Sequence, residues 1–408
     1  MEKMTDLPER AALQGDSLQL DMAIKLALEN NPELEAVRLE MEIAQVRANR
    51  ENRLPNPELE AEMENFSGSG PYASFGAGES TVSIGQLIEI SGKRNKRTQV
   101  ADMDYELAAW TYEMKRLALI TSIRDAWVNA VTYRDKRDLY RERLALSAEF
   151  REKVDRMVQS GLLSAAEKSR AEVEFYHAQV AVNQVEAGYR EAMYDLTALL
   201  GNSGAGFDRV AGKLVYRTLS LDKKIDTMQY SDIPRIQMEM LRIKRQTAAV
   251  ELARSLQIPD PTVKLGYRHF NGINDQALVA GLSIPIPLFN SGREGVAEAD
   301  YRLKQSEKYA EASGLQMKTE LQKRINALSA IQDELILLST KIIPGARQTN
   351  QIIIENYQRG NYRFLEVLDA RRQLFNAREQ HLDAVARAMI ETNQIEGLLG
   401  QPIASILK

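Results

Sequence analysis

Apolar positions along the chain follow two rhythms: a spacing of three and four that fills most of its length, and a strict alternation confined to two short regions. Between Arg94 and Gln159 there is no glycine or proline. Within that run Val100, Met103, Leu107, Trp110, Met114 and Leu117 recur at alternating steps of three and four, the period that keeps one apolar seam against a partner helix. Read as one helix at 1.5 Å per residue, the run reaches roughly 100 Å, far beyond what a globular domain needs. The seam then passes to Ile120, Ile123 and Trp127, and Arg134, Arg137, Arg141 and Arg143 occupy the next turns. The predicted helix therefore has several neighbours.

Ahead of it, Leu20, Ala23, Ile24, Ala27 and Leu28 predict a helix that Asn30-Asn31-Pro32 ends. A second helix runs from Pro32 to about Asn52 and is stopped by Leu54-Pro55-Asn56-Pro57, since proline lacks a donor and pushes its predecessor into extended geometry. From Glu58 the period is two. Glu58, Glu60, Glu62 and Glu64 share one face of a strand, with Leu59, Ala61 and Met63 on the other. A Gly- and Ser-rich loop leads to a second alternating run (Val82, Ile84, Ile88, Ile90), closed by Ser91-Gly92. The long helix turns at Ser160-Gly161-Leu162-Leu163 and returns from about Ser164 to Leu200.

The same landmarks then recur. Pro55-Asn56-Pro57 corresponds to Pro259-Asp260-Pro261, Ser91-Gly92-Lys93 to Ser291-Gly292-Arg293, Gln159-Ser160-Gly161 to Gln358-Arg359-Gly360, and Leu199-Leu200-Gly201 to Leu398-Leu399-Gly400. The predicted organisation is a first repeat over 18–200 (helix, β-hairpin 58–90, helical hairpin 93–200) and a second over 232–400 (helix, β-hairpin 262–286, helical hairpin 292–399). A linking segment, 201–231, joins them, with an extra strand over Lys213 to Leu219. The second long helix carries Gly314 and Pro344, so a bend is predicted near Thr340, where the proline ring meets the preceding turn. The fold class is mainly α with β.

Composition narrows the function. Lysine and arginine total 53 against 57 aspartate and glutamate, which leaves no basic excess for nucleic acid. The absence of cysteine excludes disulfides, thiolate metal sites, a thiol nucleophile and lipid on cysteine in the chain as given. No apolar run reaches the length of about eighteen residues that a membrane-spanning helix needs. No basic and apolar leader follows Met1 either, so the chain is either cytosolic or a mature form without its leader. His177, His269 and His381 share no ligand spacing, so no metal site or cofactor is predicted. Gly-x-Ser-x-Gly, Walker-type and His-Glu-x-x-His patterns are absent, so hydrolase, nucleotide-binding and zinc-protease readings have no residues to carry them.

Four strands cannot close a barrel alone, and their edges would be a liability. About ten residues is, however, the length of a tilted strand that crosses a bilayer, and alternating faces are the signature of a membrane barrel. Several chains contributing four strands each would remove every edge. The competing reading is a soluble periplasmic coiled-coil adaptor or structural protein in which the strands form a small module; it provides one helical hairpin, whereas this chain has two.

The doubled plan, the two Pro-x-Pro elements, Ile88-Glu89-Ile90-Ser91-Gly92-Lys93-Arg94, Pro285-Ile286-Pro287-Leu288-Phe289-Asn290 and Tyr357-Gln358-Arg359-Gly360 resemble the TolC family of outer-membrane efflux ducts, from about Leu18 to Leu399. The Gly-Lys-Arg and Pro-Leu-Phe-Asn elements resemble the branch that serves heavy-metal efflux pumps of the RND type. The resemblance implies a homotrimer, a twelve-stranded barrel in the outer membrane and an α-helical barrel in the periplasm. It also implies no enzymatic activity, a periplasmic adaptor (membrane fusion) protein and an inner-membrane RND-type transporter as partners, and drugs or metal cations as cargo. Many relatives in that family carry a lipidated amino-terminal cysteine, which this chain lacks.

Candidate residues follow from both sources. Glu58, Glu60, Glu62 and Glu64 form either an acidic lumen that concentrates cations or a solvated strand face without selectivity. Phe66, Tyr267 and Phe270 are candidates for an interfacial aromatic girdle. Leu162 and Leu163 at one tip and Tyr362 at the other are either a docking surface or local packing that closes the turn, and the resemblance favours adaptor contact through Gly161, Leu162 and Gly360. Glu366 and Asp369 stand three apart near the second tip, where the first copy has Glu167 and Arg170. The resemblance implies that Glu366 and Asp369 form the periplasmic gate; Tyr362, with Arg363 beside it, occupies the place of an arginine usual in the family. The alternative is an ordinary solvated helix face.

Overall fold

The computed structural model describes residues 17–201, 207, 209–216, 233–357 and 361–402. Its elements in chain order are α1 (Leu20–Asn30), α2 (Pro32–Glu51), β1 (Glu58–Glu64), β2 (Glu79–Leu87), α3 (Lys93–Gln159), α4 (Ala165–Leu199), α5 (Pro234–Leu256), β3 (Thr262–Phe270), β4 (Asp275–Ser283), α6 (Arg293–Leu337), α7 (Ile343–Tyr357) and α8 (Phe364–Leu399). They form two compact units, one from Val37–Tyr112 and Pro234–Leu315, the other from Met1–Ala36, Glu113–Ile233 and Gln316–Lys408.

Local chemistry sets the boundaries. Asn31 caps α2, its Oδ1 accepting from the backbone N–H groups of Glu33 and Leu34 at 3.0 Å each, with Pro32 at the first helical position, where its missing donor costs nothing. The α3 helix runs unbroken over 67 residues. Its counterpart is interrupted: a π-helical stretch, Leu338–Ile342, separates α6 from α7, where the bend is predicted. Pro344 cannot donate, and the hydroxyls of Ser339 and Thr340 donate to the carbonyls of Leu335 and Ile336, both at 2.7 Å. Gly314 leaves α6 continuous.

The first unit holds one antiparallel sheet in the order β1-β2-β3-β4. Pro55 and Pro259 lie between the end of a helix and the start of a strand, as the change of period predicts. The strands end at Leu87 and Ser283, three residues short of the predicted 90 and 286. Beyond Leu87 the chain leaves the ladder, Ile88 N–H donating to Pro261 O and Ile90 N–H to Asp260 Oδ1 at 2.9 Å each. Beyond Ser283, Pro285 and Pro287 supply no donor to continue it.

The second unit is helical, with a core in which Ile123, Val128, Val131, Leu196, Leu321, Leu328 and Ile395 are almost wholly buried. The seam predicted on α3 is only half-buried from Met103 to Leu117, and dense burial begins at Leu119. Of the predicted linking segment, the described residues make a single parallel bridge, Leu18 with Val210. Lys213 to Tyr216 join no ladder, and Leu219 lies outside the described residues.

Candidate functional site: a two-faced sheet and the helical hairpin tips

Register fixes what each face of the sheet displays. Glu58, Glu60, Glu62 and Glu64 stand opposite Gly85, Ser83, Thr81 and Glu79, and these in turn face Lys264, Gly266, Arg268 and Phe270. One face therefore carries acids, small polar residues and two cations. The other carries Leu59, Met63, Val82, Ile84, Val263, Leu265, Tyr267, Leu278 and Leu282, all exposed, with Leu278 at 88%. Among the described residues no core packs against this apolar face.

The acidic row is partly compensated by β3. Lys264 pairs with Glu60, and Arg268 reaches Glu64 at 3.1 Å and Glu79 at 3.0 Å while donating to Thr81 Oγ1 at 2.9 Å. Among the described residues no cation lies within ion-pair distance of Glu58 or Glu62. The girdle candidates separate. Tyr267 lies on the apolar face and Phe270 on the acidic one, because three residues along a strand change its side. Phe66 stacks on Phe75 with ring centroids 5.5 Å apart.

In the helical unit, the ends of both hairpins share one apolar cluster: Phe150, Val154, Ala171, Tyr357, Phe364, Val367 and Leu368, with Leu163 packed against it. The Phe150 ring stacks on Phe364 at 5.3 Å and carries the Arg371 guanidinium on its face at 4.7 Å. Gly161, at φ 75°, reverses the chain, and the N–H groups of Leu162 and Leu163 both donate to Met157 O, at 2.9 and 3.2 Å. Leu163 thus turns inward while Leu162 stays 71% exposed. Gly360 lies outside the described residues.

Glu366 and Asp369 both stand on the exposed side of α8, opposite Val367 and Leu368 in the cluster. Glu366 Oε2 accepts from Arg363 N–H at 2.6 Å, and Glu167 does the same for Ser164 N–H at 3.0 Å. Each thereby satisfies the N–H of the residue that precedes its helix, the acidic half of a capping box, a structural task that the three-residue spacing Ser164–Glu167 signals and the gate reading overlooks. Asp369 Oδ2 accepts from Gln373 at 2.9 Å. Arg363 is exposed and Tyr362 half-buried.

Sequence reasoning also misses the carboxylates that bind the two hairpins together. Glu174, side chain 10% exposed, takes Arg143 and Arg372 at 2.7 Å each. Burial pushes its carboxyl up, but the two guanidinium hydrogen bonds outweigh that and hold it below its ordinary value. Its neighbours at helical spacing, Ala171 and Ala178, are buried, so a charge within an apolar stripe was the available signal. Arg378 binds Glu142 through two bonds of 2.9 Å. Tyr140 O–H donates to Glu379 at 2.9 Å, and burial followed by that carboxylate pushes the phenol up to about 12.

A sheet with one charged face and one exposed apolar face, in a chain otherwise built of very long helical hairpins, defines a channel-forming protein of the outer membrane. The chain belongs to the outer membrane efflux protein family, whose model matches residues 23–202 and 232–401. It is an outer-membrane efflux duct. Over 384 residues it is 25% identical to the cobalt-zinc-cadmium resistance protein CzcC of Cupriavidus metallidurans, covering 94% of this chain and 90% of the relative. Its fold matches the solved structure of CusC with a TM-score of 0.79 at 18% identity, over 94% of this chain and 92% of that one. It matches the outer membrane protein VceC of Vibrio cholerae with a TM-score of 0.77 at 21% identity, over 94% and 96%.

Proposed function

We propose that three copies of this chain close a twelve-stranded barrel in the outer membrane, with the acidic face of the sheet inward and the apolar face against lipid, and that the helical hairpins continue the duct through the periplasm. The observation that carries this is the sheet: nine exposed large apolar side chains on one face, charges on the other, and two unpaired edges, β1 and β4. The two halves are copies of one unit, 18–200 and 232–400. The duct serves a tripartite system, receiving cargo from an inner-membrane RND-type transporter through a periplasmic adaptor, and carries out no chemistry on it. The cargo is a divalent metal cation, supported by the likeness to CzcC and by the acidic row, in which Glu58 and Glu62 make no ion pair among the described residues.

The exposed Leu162, with Gly161 and Gly360, meets the adaptor; Leu163 supports it from within the cluster. Glu366 and Asp369, flanked by Tyr362 and Arg363, line the periplasmic constriction, where three copies of each attract cations. Conductance across a planar bilayer tests the assembly: the purified protein is expected to form cation-preferring channels, and a monodisperse monomer in mild detergent rules the barrel out. Growth in zinc, cobalt and cadmium tests the cargo. Loss of the chain is expected to sensitise cells to these cations, and sensitisation to drugs alone rejects the metal assignment.

A further inference from the structure

Of the two Ser-Gly-basic elements and the two Pro-x-Pro elements, the first of one kind and the second of the other meet within the chain. Gly92, at φ 69°, delivers Lys93 to the start of α3. Lys93 is buried, its Nζ lying 2.8 Å from Asp260 Oδ2 and donating to the carbonyl of Ile258. Asp260 Oδ1 accepts from Ile90 N–H as well. A buried cation at a helix N-terminus is opposed both by desolvation and by the helix dipole, so the carboxylate is what makes the position tenable. This clamp sits just beyond the β2–β3 pairing and ties the first half of the chain to the second.

Among the described residues the counterparts of Lys93 and Asp260 in the other copy of the repeat, Arg293 and Asn56, make no side-chain hydrogen bond or ion pair. Arg293 follows Gly292, at φ 72°, at the start of α6, as Lys93 follows Gly92. Asn56 stands between Pro55 and Pro57 as Asp260 stands between Pro259 and Pro261. Both Arg293 and Asn56 are exposed, and among the described residues no carboxylate lies within ion-pair distance of Arg293. Arg293 lies beyond the free edge strand β4, and Asn56 precedes the free edge strand β1. Apolar side chains beside them, Leu54, Leu288 and the fully exposed Phe289, are likewise uncovered.

We infer that a second copy completes the arrangement: Arg293 of one protomer donates to the amide oxygen of the partner's Asn56 and to the carbonyl of the partner's Leu54, as Lys93 does to Asp260 and Ile258. The inference rests on the ring assembly proposed above. Joints between halves then alternate around the ring, an ion pair within each chain and a charge-to-amide hydrogen bond between chains. Because the amide carries no charge, the joint between chains is the weaker of the two.

The absence of cysteine makes a direct test clean. Asn56→Cys together with Arg293→Cys, treated as the intact assembly with a short bis-maleimide, is expected to give covalent dimers and trimers on a denaturing gel, whereas Lys93→Cys with Asp260→Cys cross-links within one chain and stays at monomer mass. Separately, Asn56→Asp is expected to slow subunit exchange between differently labelled trimers by roughly tenfold, the worth of replacing a neutral acceptor with a carboxylate, and Arg293→Ala is expected to abolish that gain. A trimer that shows neither the intermolecular cross-link nor an Arg293-dependent effect of Asn56→Asp overturns the contact while leaving the ring intact. A monomeric parent protein overturns the ring and the contact with it.

Discussion

The sheet and the helical unit place the same residue types in opposite positions. In the helical unit Leu196, Leu321, Leu328 and Ile395 are at the centre, while in the sheet Leu59, Leu265, Leu278 and Leu282 are on the outside with charges on the reverse face. An element's solvent can be read from which side chains it turns outward. Helices that hide leucine were built for water. A sheet that displays it was built for a medium without hydrogen bonds, or for a neighbour.

The largest expected effect is inside the helices. Leu328→Ala should cost about 2–5 kcal/mol, the range for truncating a fully buried leucine, seen as a lower midpoint in thermal or urea unfolding followed by circular dichroism. Leu278→Arg probes the other side of the comparison. On a water-facing surface such a change stays within about 0.5 kcal/mol, but facing lipid it should cost about 2–4 kcal/mol. Folding titrations into phospholipid vesicles measure it, and an unaffected insertion energy would break the comparison outright.

Glu174→Gln should loosen the contact between hairpins by about 1–3 kcal/mol, since it leaves Arg143 and Arg372 facing a neutral amide. The sign of its pH dependence follows from the lowered carboxyl. Its contribution is full above about pH 4.5, the ordinary value, and is lost as pH falls from there through the lower folded value. Unfolding midpoints of the parent should therefore drop in that acid window more steeply than those of Glu174→Gln. The smallest effect separates capping from gating. Glu167→Ala and Glu366→Ala should each cost about 0.5–1.5 kcal/mol as the lost acceptor of one backbone N–H, but only Glu366→Ala should also weaken block by multivalent cations in single-channel recordings. Equal behaviour of the two variants assigns Glu366 to the helix terminus alone.

Helices and strands are legible in the sequence where punctuation and period agree. Pro55, Pro259, Gly92 and Gly292 mark real junctions because proline and left-handed glycine act locally, whatever the rest of the chain does. Strand ends are less legible: Ile88 and Ile90 continue the alternation after the backbone has left the ladder for Pro261 and Asp260, a contact made with the other half of the chain. The charge balance of the acidic face is hidden for the same reason. Lys264 and Arg268 become partners of Glu60 and Glu64 only through the pairing of β2 with β3, which no local pattern encodes. Nothing in the interval of three between Tyr267 and Phe270 is obscure, however; parity alone assigns them to opposite faces.

The strand order has a consequence for how the chain is made. β2 pairs with β3, and between them in sequence lie the whole of α3, α4 and α5. The hairpin β1–β2 can form early, but its second edge finds no partner until β3 has been synthesised and delivered. Closing so long a loop costs entropy before any contact rewards it. Throughout that interval Leu59, Met63, Val82 and Ile84 stand on an unpaired, apolar ribbon, the kind of segment that aggregates when left waiting. The time for which the first hairpin waits is therefore set by the making of the helices between β2 and β3 rather than by the pairing of the strands themselves.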